Sequence, residues 1–247
     1  MGSIGYTYGS EWHLLRFLGY HRDALNRAIE EAIPGSTVLD WSGSGYETNP
    51  AAVDREPPRF LDREFEGLGF LPQPQGERLL PELGRFWPMT GSLPNWDAVG
   101  RIRLESEESW LLVEAKSHLG EIKSSCGARP ESEGGGRDQI GRAFRRTQEH
   151  LGISVGPEAW LGPFYQFCNR LAFLHFLTSR GIPTRLLFLY FLGDRFPPSS
   201  PACCPDTEAG WQEALGRMNR HTGWGPANPL SGRVHRVFLP VSPAADR

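Results

Sequence analysis

The stretch WLLVEAKSH at residues 110–118 constrains the fold most, because it is apolar like a buried strand and yet carries opposite charges. Side chains of a β-strand alternate between its two faces. We therefore expect Glu114 and Lys116 to share one face with Leu112, while Val113 and Ala115 share the other. Burying charge is costly unless the groups pair or bind a metal. This conflict between pattern and charge predicts a functional site on the strand.

The residues before this stretch predict that it is the second strand of a β-hairpin. Residues 95–118 divide into two strand-like runs, with a turn near residues 106–109. Asp97 comes at the start of the first run. Two carboxylates, Asp97 and Glu114, thus converge on one pair of strands, together with Lys116.

Lysine is rare in this chain, which singles out Lys116. Of the 26 basic residues, all but Lys116 and Lys123 are arginines. Lysine is a compact charge whose pKa shifts readily, so arginine does not replace it at a reaction centre. The scarcity favours a functional role for Lys116 over an arbitrary surface position.

Composition narrows the class of protein. The chain has 247 residues, of which 39% are hydrophobic, and this suits a globular protein with a sizeable core. Its net charge of −3 excludes a strongly basic nucleic-acid binder by composition, but leaves room for a local basic groove. No apolar run approaches the ~18 residues that a membrane span needs, and the N-terminus lacks the regions of a signal peptide. We expect no membrane partner and a cytoplasmic location.

The four cysteines support the same expectation, because their spacing matches neither a disulfide framework nor a zinc site. A reduced protein is the simplest interpretation. They are Cys126, Cys168, Cys203 and Cys204.

The order of predicted elements indicates one α/β domain with a mixed central β-sheet flanked by helices. Residues 34–94 are rich in glycine and proline, and we expect them to be a loop-rich elaboration. Within it we expect a short strand over 36–41, another short element over 62–71, and mostly loop over 72–94. The other predicted elements are a helix over 10–33 broken at Gly19, the hairpin, helices over 138–151 and 163–180, a strand from 184, a helix over 207–220 and a strand over 234–241.

Paired carboxylates beside a lysine suit the hydrolysis of phosphodiesters. Mg²⁺ prefers oxygen ligands and keeps several waters, and Mn²⁺ is the expected substitute. Asp97 and Glu114 can supply two oxygens and the Ala115 carbonyl a third. Such a metal activates water and stabilises the charge that develops on phosphate. Lys116 would orient the nucleophile, deprotonate it or offset its charge, and the sequence leaves these three open.

The pattern Asp97…Glu114-Ala-Lys116 resembles the PD-(D/E)xK nuclease superfamily, which has the restriction-endonuclease-like fold. The literal Pro-Asp is absent, because Trp96 precedes Asp97 and Pro94 stands three positions upstream. The resemblance implies a mixed sheet flanked by helices, with the site at one edge. It also implies a Mg²⁺-dependent endonuclease-like phosphodiester hydrolase.

The resemblance extends to two helices. An acidic residue on the first helix of this superfamily often reaches the metal, and Glu11 matches it in position and in line with the apolar stripe of its helix. A polar helix after the motif strand often lies near substrate phosphates. Gln166, Asn169 and Arg170 are i, i+3 and i+4 neighbours on such a helix, and the resemblance implies substrate contacts for this row.

Two further residues are candidates for substrate binding. His118 lies on the motif face and Lys123 follows it in a polar connection. The alternatives stay open at this point: Glu114 and Lys116 as a buried structural ion pair, His118 as an ordinary surface histidine, and the row on the later helix as a polar seam.

The expected substrate is nucleic acid, with DNA favoured. The near-neutral charge suggests help from a homodimeric groove or a partner subunit. Two other functions are compatible with the sequence. One is a non-catalytic module that binds nucleic acid or protein and keeps the nuclease fold; the other is a metal hydrolase that acts on a small phosphate ester.

Overall fold

The hairpin expected at the motif lies at the centre of a five-stranded sheet in the computed structural model, which describes residues 8–42, 46–47, 59–60 and 64–242. Helices cover both faces of this sheet, so the described chain has an α/β fold with a mixed central sheet. The predicted fold class is confirmed at this level.

Helices account for much of the described chain, and most of them lie after the hairpin. They are α1 Ser10–Tyr20, α2 Arg22–Ala32, α3 Gln75–Phe86, α4 Arg137–Leu151, α5 Pro157–Leu161, α6 Tyr165–Thr178 and α7 Glu208–Thr222. On the described residues, no helix is long and apolar enough to cross a lipid bilayer.

The strands fall into one main sheet and two short pairs. They are β1 Ser36–Ser42, β2 Tyr46–Glu47, β3 Arg59–Phe60, β4 Phe65–Glu66, β5 Asn95–Trp96, β6 Ala98–Leu104, β7 Glu107–Lys116, β8 Thr184–Leu192 and β9 Val234–Pro240. The main sheet has the order β1-β6-β7-β8-β9, while β2 pairs with β3 and β4 pairs with β5.

The central strand β7 has a different neighbour on each side. It pairs antiparallel with β6, which is itself antiparallel to β1. On its other side it pairs parallel with β8, which is parallel to β9. Pairing with β6 ends where Ala98 lies opposite Val113. The last residues of β7, Glu114 to Lys116, therefore extend beyond β6 while they keep β8 as a neighbour.

The alternation predicted for β7 is confirmed by the two hydrophobic clusters that cover the sheet. Leu112 packs in a large cluster with side chains of α3 to α7. Leu111, Val113 and Ala115 pack on the opposite face in a smaller cluster with α1 and α2. Glu114 lies on the same side of β7 as Leu112, and α6 covers it there.

The prediction that residues 72–94 are mostly loop is wrong, because α3 lies among them. Pro81 stands inside this helix and lacks the N–H that would bond to the preceding turn. Packing compensates for it, since Leu83 and Phe86 are buried against the large cluster and Leu79 contacts its edge. The apolar period of a helix is present in this segment but is hidden by its prolines and glycines.

Two boundaries also differ from the prediction. The first helical segment breaks at His21, and Gly19 lies inside α1. The turn of the hairpin lies at residues 105–106, because Leu104 pairs with Glu107. Glu105 adopts a left-handed conformation there, with φ of 55°. Such a turn is unexpected from sequence, because non-glycine residues rarely take positive φ.

Candidate functional site

The candidate site lies next to β7 at the N-terminal end of β6, and Asp97 is the residue directly before β6. Its backbone N–H donates to the Val113 carbonyl at 3.0 Å. Its carboxylate accepts a hydrogen bond from the Ala115 N–H, with 2.7 Å between Oδ2 and the nitrogen. The Asp97 side chain thus accepts a backbone hydrogen bond from β7 at a position beyond the last residue pair of β6 and β7. The end of β7 therefore faces a half-buried carboxylate instead of a neighbouring strand.

The Ala115 carbonyl points to the same edge of β7 as the Asp97 carboxylate. We call this edge, beyond the pairing of β7 with β6, the opening. In an extended strand the N–H and C=O of one residue point to the same side. Because the Ala115 N–H points to Asp97, its carbonyl oxygen also points away from β8 and toward the end of β6. A carboxylate and a backbone oxygen thus line one opening beside Glu114.

Glu114 directly precedes Ala115 in β7, and both of its carboxylate oxygens are paired. It is only 2% exposed. Oε1 forms a close ion pair with the Lys116 ammonium. Oε2 accepts from Arg170 on α6, at 2.7 Å from Nε and 2.6 Å from Nη2. The structure thus unites Asp97, Glu114 and Lys116, and adds Arg170 to them as a buried partner of Glu114.

The guanidinium of Arg170 binds only to groups within the described part of the protein. The residue is 3% exposed, and each of its guanidinium nitrogens donates to a protein acceptor. Besides Glu114, these acceptors are Asn169 Oδ1 at 2.8 Å and the Asn95 carbonyl at 2.5 Å. The guanidinium also lies 4.9 Å from the centre of the Trp96 ring, a cation–π contact. Arg170 therefore joins α6 to β7 through Glu114 and to β5, which directly precedes Asp97. These contacts hold the guanidinium inside the protein, whereas the resemblance implies a contact with substrate.

Electrostatics separates the three motif side chains. Burial, and then the Glu114 carboxylate, raise the pKa of Asp97 from its ordinary 3.8 to about 7. Burial also acts to raise the pKa of Glu114, but Arg170 and Lys116 outweigh it and the pKa is lowered. For Lys116, burial acts to lower the pKa, while Glu114 and Asp97 outweigh it and the pKa is raised. Glu114 is thus an anion and Lys116 a cation, and Asp97 carries the least compensated charge.

This donor set fits a hard divalent cation. Two carboxylates and a backbone oxygen are ligands that Mg²⁺ accepts. The raised pKa of Asp97 shows that a nearby positive charge would stabilise its carboxylate. Across residues 8–42 and 64–242, no three acidic, histidine or cysteine side chains form a ready-made metal cluster. A cation at this opening would therefore be completed by Ala115 and by water.

A groove lies beside the first turns of α6, and we call it the Gln166 groove. Gln166 lines both this groove and a small cavity that holds Glu114 and Lys116. Asn169 is 6% exposed and orients Arg170, so only part of the predicted polar row faces outward. The groove is lined by Ser92, Leu93, Pro94, Asn95, Ser124, Tyr165, Gln166, Asn169 and Arg170.

Three other predicted site residues have surroundings of their own. Glu11 is half-buried in the first turn of α1, and its role as a metal ligand stays a prediction. His118 lies 3.5 Å from Glu121, measured from Nε2 to Oε1, and its ring packs on Phe196. The Lys123 side chain is exposed on the surface next to the groove.

Sequence reasoning missed Ser124, which positions the groove. Its hydroxyl oxygen accepts from the Gln166 N–H at 2.8 Å, and its carbonyl accepts from the Tyr165 N–H at 3.1 Å. The polar connection after β7 thus caps the first turn of α6. Nothing in the local pattern marks Ser124, because the contact joins segments that are far apart in the chain. Trp96, next to Asp97, is fully buried and its indole N–H donates to the Gly67 carbonyl.

Comparison with known proteins assigns no family to this chain. No protein-family model matches it, and neither a curated protein nor a solved structure does. Its function therefore has to be inferred from the geometry of Asp97, Glu114 and Lys116.

Proposed function

We propose that this protein is a Mg²⁺-dependent nuclease that hydrolyses phosphodiester bonds, with DNA as the favoured substrate and a restriction-endonuclease-like core. One observation carries the proposal: the Asp97 carboxylate and Ala115 meet at the edge of β7, beyond the end of its pairing with β6 and next to the ion pair of Glu114 and Lys116. Arrangements of carboxylates with raised and lowered pKa values are typical of reaction centres.

The ligands of the cation would be Asp97, Glu114 and the Ala115 carbonyl, and we include Glu11 of α1 as a further carboxylate. When bound, the metal supplies positive charge that stabilises developing phosphate charge and lowers the pKa of water. Asp97 holds its carboxylate toward the opening, because its hydrogen bond to Ala115 fixes the side chain.

Lys116 acts as a cation in this proposal and not as a base. Its raised pKa keeps the ammonium protonated at neutral pH. A protonated lysine can hold a phosphate oxygen and offset the charge that builds up in the transition state, but it cannot remove a proton from water. Of the three roles that the sequence leaves open, charge compensation is therefore the one that the surroundings of Lys116 favour.

The proposal is tested by incubating the protein with single-stranded and duplex DNA and with RNA, in Mg²⁺, in Mn²⁺ and in EDTA. We expect cleavage that depends on the divalent ion, and a loss of about 100-fold or more in Lys116→Ala and Asp97→Asn. Arg101→Ala, which removes an exposed cation from β6, serves as the matched control. A folded protein that binds neither metal in calorimetry and cleaves nothing would overturn the proposal.

A second function is favoured by one observation, the pairing of both Glu114 oxygens with Lys116 and Arg170. These contacts satisfy the buried carboxylate without a metal, as a module that only binds nucleic acid or protein would need. Metal-independent binding that survives Glu114→Gln in a folded variant favours this second function over hydrolysis.

A further inference from the structure

The Gln166 groove differs from a phosphate-binding cleft in its charge. Of the described residues that line it, Arg170 is the one cation. Each nitrogen of that guanidinium already donates to Glu114, Asn169 or Asn95, and the residue is 3% exposed. Binding to nucleic-acid backbones depends on lysine and arginine side chains that neutralise phosphates. The described lining of the groove therefore offers no free cation to a second phosphate.

The accessible groups of the groove are neutral hydrogen-bonding groups. The Gln166 carboxamide is half-buried, and among the described residues it makes no side-chain hydrogen bond. The Ser124 oxygen accepts from the Gln166 backbone, so its hydroxyl proton is left to donate outward. Ser92 is exposed at the rim. A carboxamide and two hydroxyls can both donate and accept, which is what the polar edge of a nucleobase and a sugar hydroxyl require.

Apolar side chains also contribute to the lining of the groove. Leu93 and Pro94 belong to the segment that leads into β5, and Leu93 is the more accessible of the two because Pro94 is buried. A lining that combines Leu93 and Tyr165 with a carboxamide suits a flat ring with a polar edge. The groove lies next to the site, because Gln166 lines both it and the cavity of Glu114 and Lys116.

We propose that the Gln166 groove binds the nucleoside part of the nucleotide next to the cleaved phosphodiester. This inference rests on the proposed nuclease function and narrows its substrate class. A base inside a duplex is stacked and paired, so it reaches such a groove only after it has been extruded at a cost in free energy. The preferred substrate is therefore a strand with unpaired nucleotides, as in a single strand, a flap or a loop.

The experiment measures binding without catalysis. The full chain in EDTA is titrated into a fluorescein-labelled single strand of about 12 nucleotides and into the blunt duplex of the same sequence. Fluorescence anisotropy gives both dissociation constants. We expect the single strand to bind about tenfold more tightly than the duplex.

Variants assign the preference to the groove. Gln166→Ala should weaken binding of the single strand about fivefold, because it removes hydrogen bonds to the base. The matched control is Gln212→Ala on α7, a glutamine in another surface depression, which should change nothing. Ser92→Ile fills the rim from an exposed position with an aliphatic side chain that does not stack on bases, and it should abolish the preference. Replacing Arg145 and Arg146 by serine tests whether the exposed face of α4 holds the strand instead.

The outcomes separate this inference from the nuclease proposal. The groove inference is overturned if the duplex binds as tightly as the single strand, if neither binds, or if Gln166→Ala has no effect while the α4 variant does. Equal cleavage of blunt duplex and single strand in Mg²⁺ would overturn the groove inference and leave the nuclease. A single-strand preference that responds to Gln166→Ala, without any divalent-dependent cleavage, would support the groove and refute the nuclease.

Discussion

At the scale of the residue, Asp97 is held in an environment that disfavours its charge. Burial and Glu114 raise its pKa to about 7, although Lys116 partly offsets them. Glu114, by contrast, is kept ionised by two cations. Two carboxylates on adjacent strands thus differ in charge because their partners differ. The position that lacks a full counter-charge is the one where added positive charge has the greatest effect.

Asp97→Asn should therefore stabilise the metal-free protein, and more so at high pH. The folded pKa lies above the unfolded value of 3.8, so wild-type stability falls as the pH rises from about 4 to about 7. The amide keeps an acceptor for the Ala115 N–H but carries no charge. Urea denaturation in EDTA should show a gain of roughly 2–4 kcal/mol above pH ~7, shrinking toward pH ~4.

The control for that measurement is Asp40→Asn, which changes an exposed acid paired with Arg101. Its effect should stay below about 1 kcal/mol. A gain for Asp97→Asn that is the same at every pH would contradict the assigned ionisation of Asp97.

Arg170→Met should destabilise the protein by about 3 kcal/mol or more, because it leaves Glu114 buried with one cation instead of two. Arg180→Met is the comparison, since Arg180, two residues after the end of α6, pairs with the half-exposed Glu82. That change should cost about 1 kcal/mol or less. Equal losses in urea denaturation would show that the Arg170 ion pair contributes no more than a surface pair.

At the scale of the element, the strands and helices around the site follow from local patterns. The alternation of β7 places Leu112 and Glu114 on one face as predicted, and the apolar runs of α6 and β8 are equally clear. The helix α3 could not be predicted in this way, because Pro81 suppresses the helical signal while burial of Leu83 maintains the helix. Tertiary packing outweighs local propensity in that segment.

The same limit applies to the site. Asp97, Glu114 and Lys116 are predictable from strand period and spacing. The pairing of Glu114 with Arg170 is not, because the two are 56 positions apart and meet only when α6 packs on the sheet. Local sequence shows that a charge is buried, but it does not show which distant residue compensates it.

Glu105→Gly should stabilise the hairpin turn. Glu105 has φ of 55°, a conformation that costs a residue with a Cβ about 1 kcal/mol and glycine almost nothing. Glycine also makes the unfolded chain more flexible, so a net gain of about 0.5 kcal/mol is expected in thermal denaturation. Ser106→Gly next to it lacks the strain and should show the opposite sign. A loss in both variants would contradict the turn geometry.

At the scale of the whole molecule, the sheet separates two hydrophobic clusters, and the site lies where β6 ends between them. Asp97 follows β5 and precedes β6, Glu114 belongs to β7, and α6 reaches both through Arg170. A cation bound here, as proposed, would join these elements and would bind the folded state only. Its binding free energy is therefore added to the free energy of unfolding of the entire domain.

Mn²⁺ at about 100 times its dissociation constant should raise the unfolding free energy by roughly 2.7 kcal/mol in the wild type. Asp97→Asn should lose most of this gain, whereas Arg101→Ala should keep it. Differential scanning fluorimetry with and without EDTA makes the comparison. An equal rise in all three proteins would indicate that Mn²⁺ acts away from Asp97.

The contacts of Arg170 with Trp96, Asn95 and Glu114 predict a pattern of substitution among related sequences. Loss of either Glu114 or Arg170 leaves the other charge buried without its partner, so single substitutions at these two positions are selected against. In sequences that descend from a common ancestor with this chain, positions 114 and 170 should change together or stay unchanged, with an aromatic side chain retained at position 96. The pair would then trace ancestry even where surrounding loops have diverged beyond alignment.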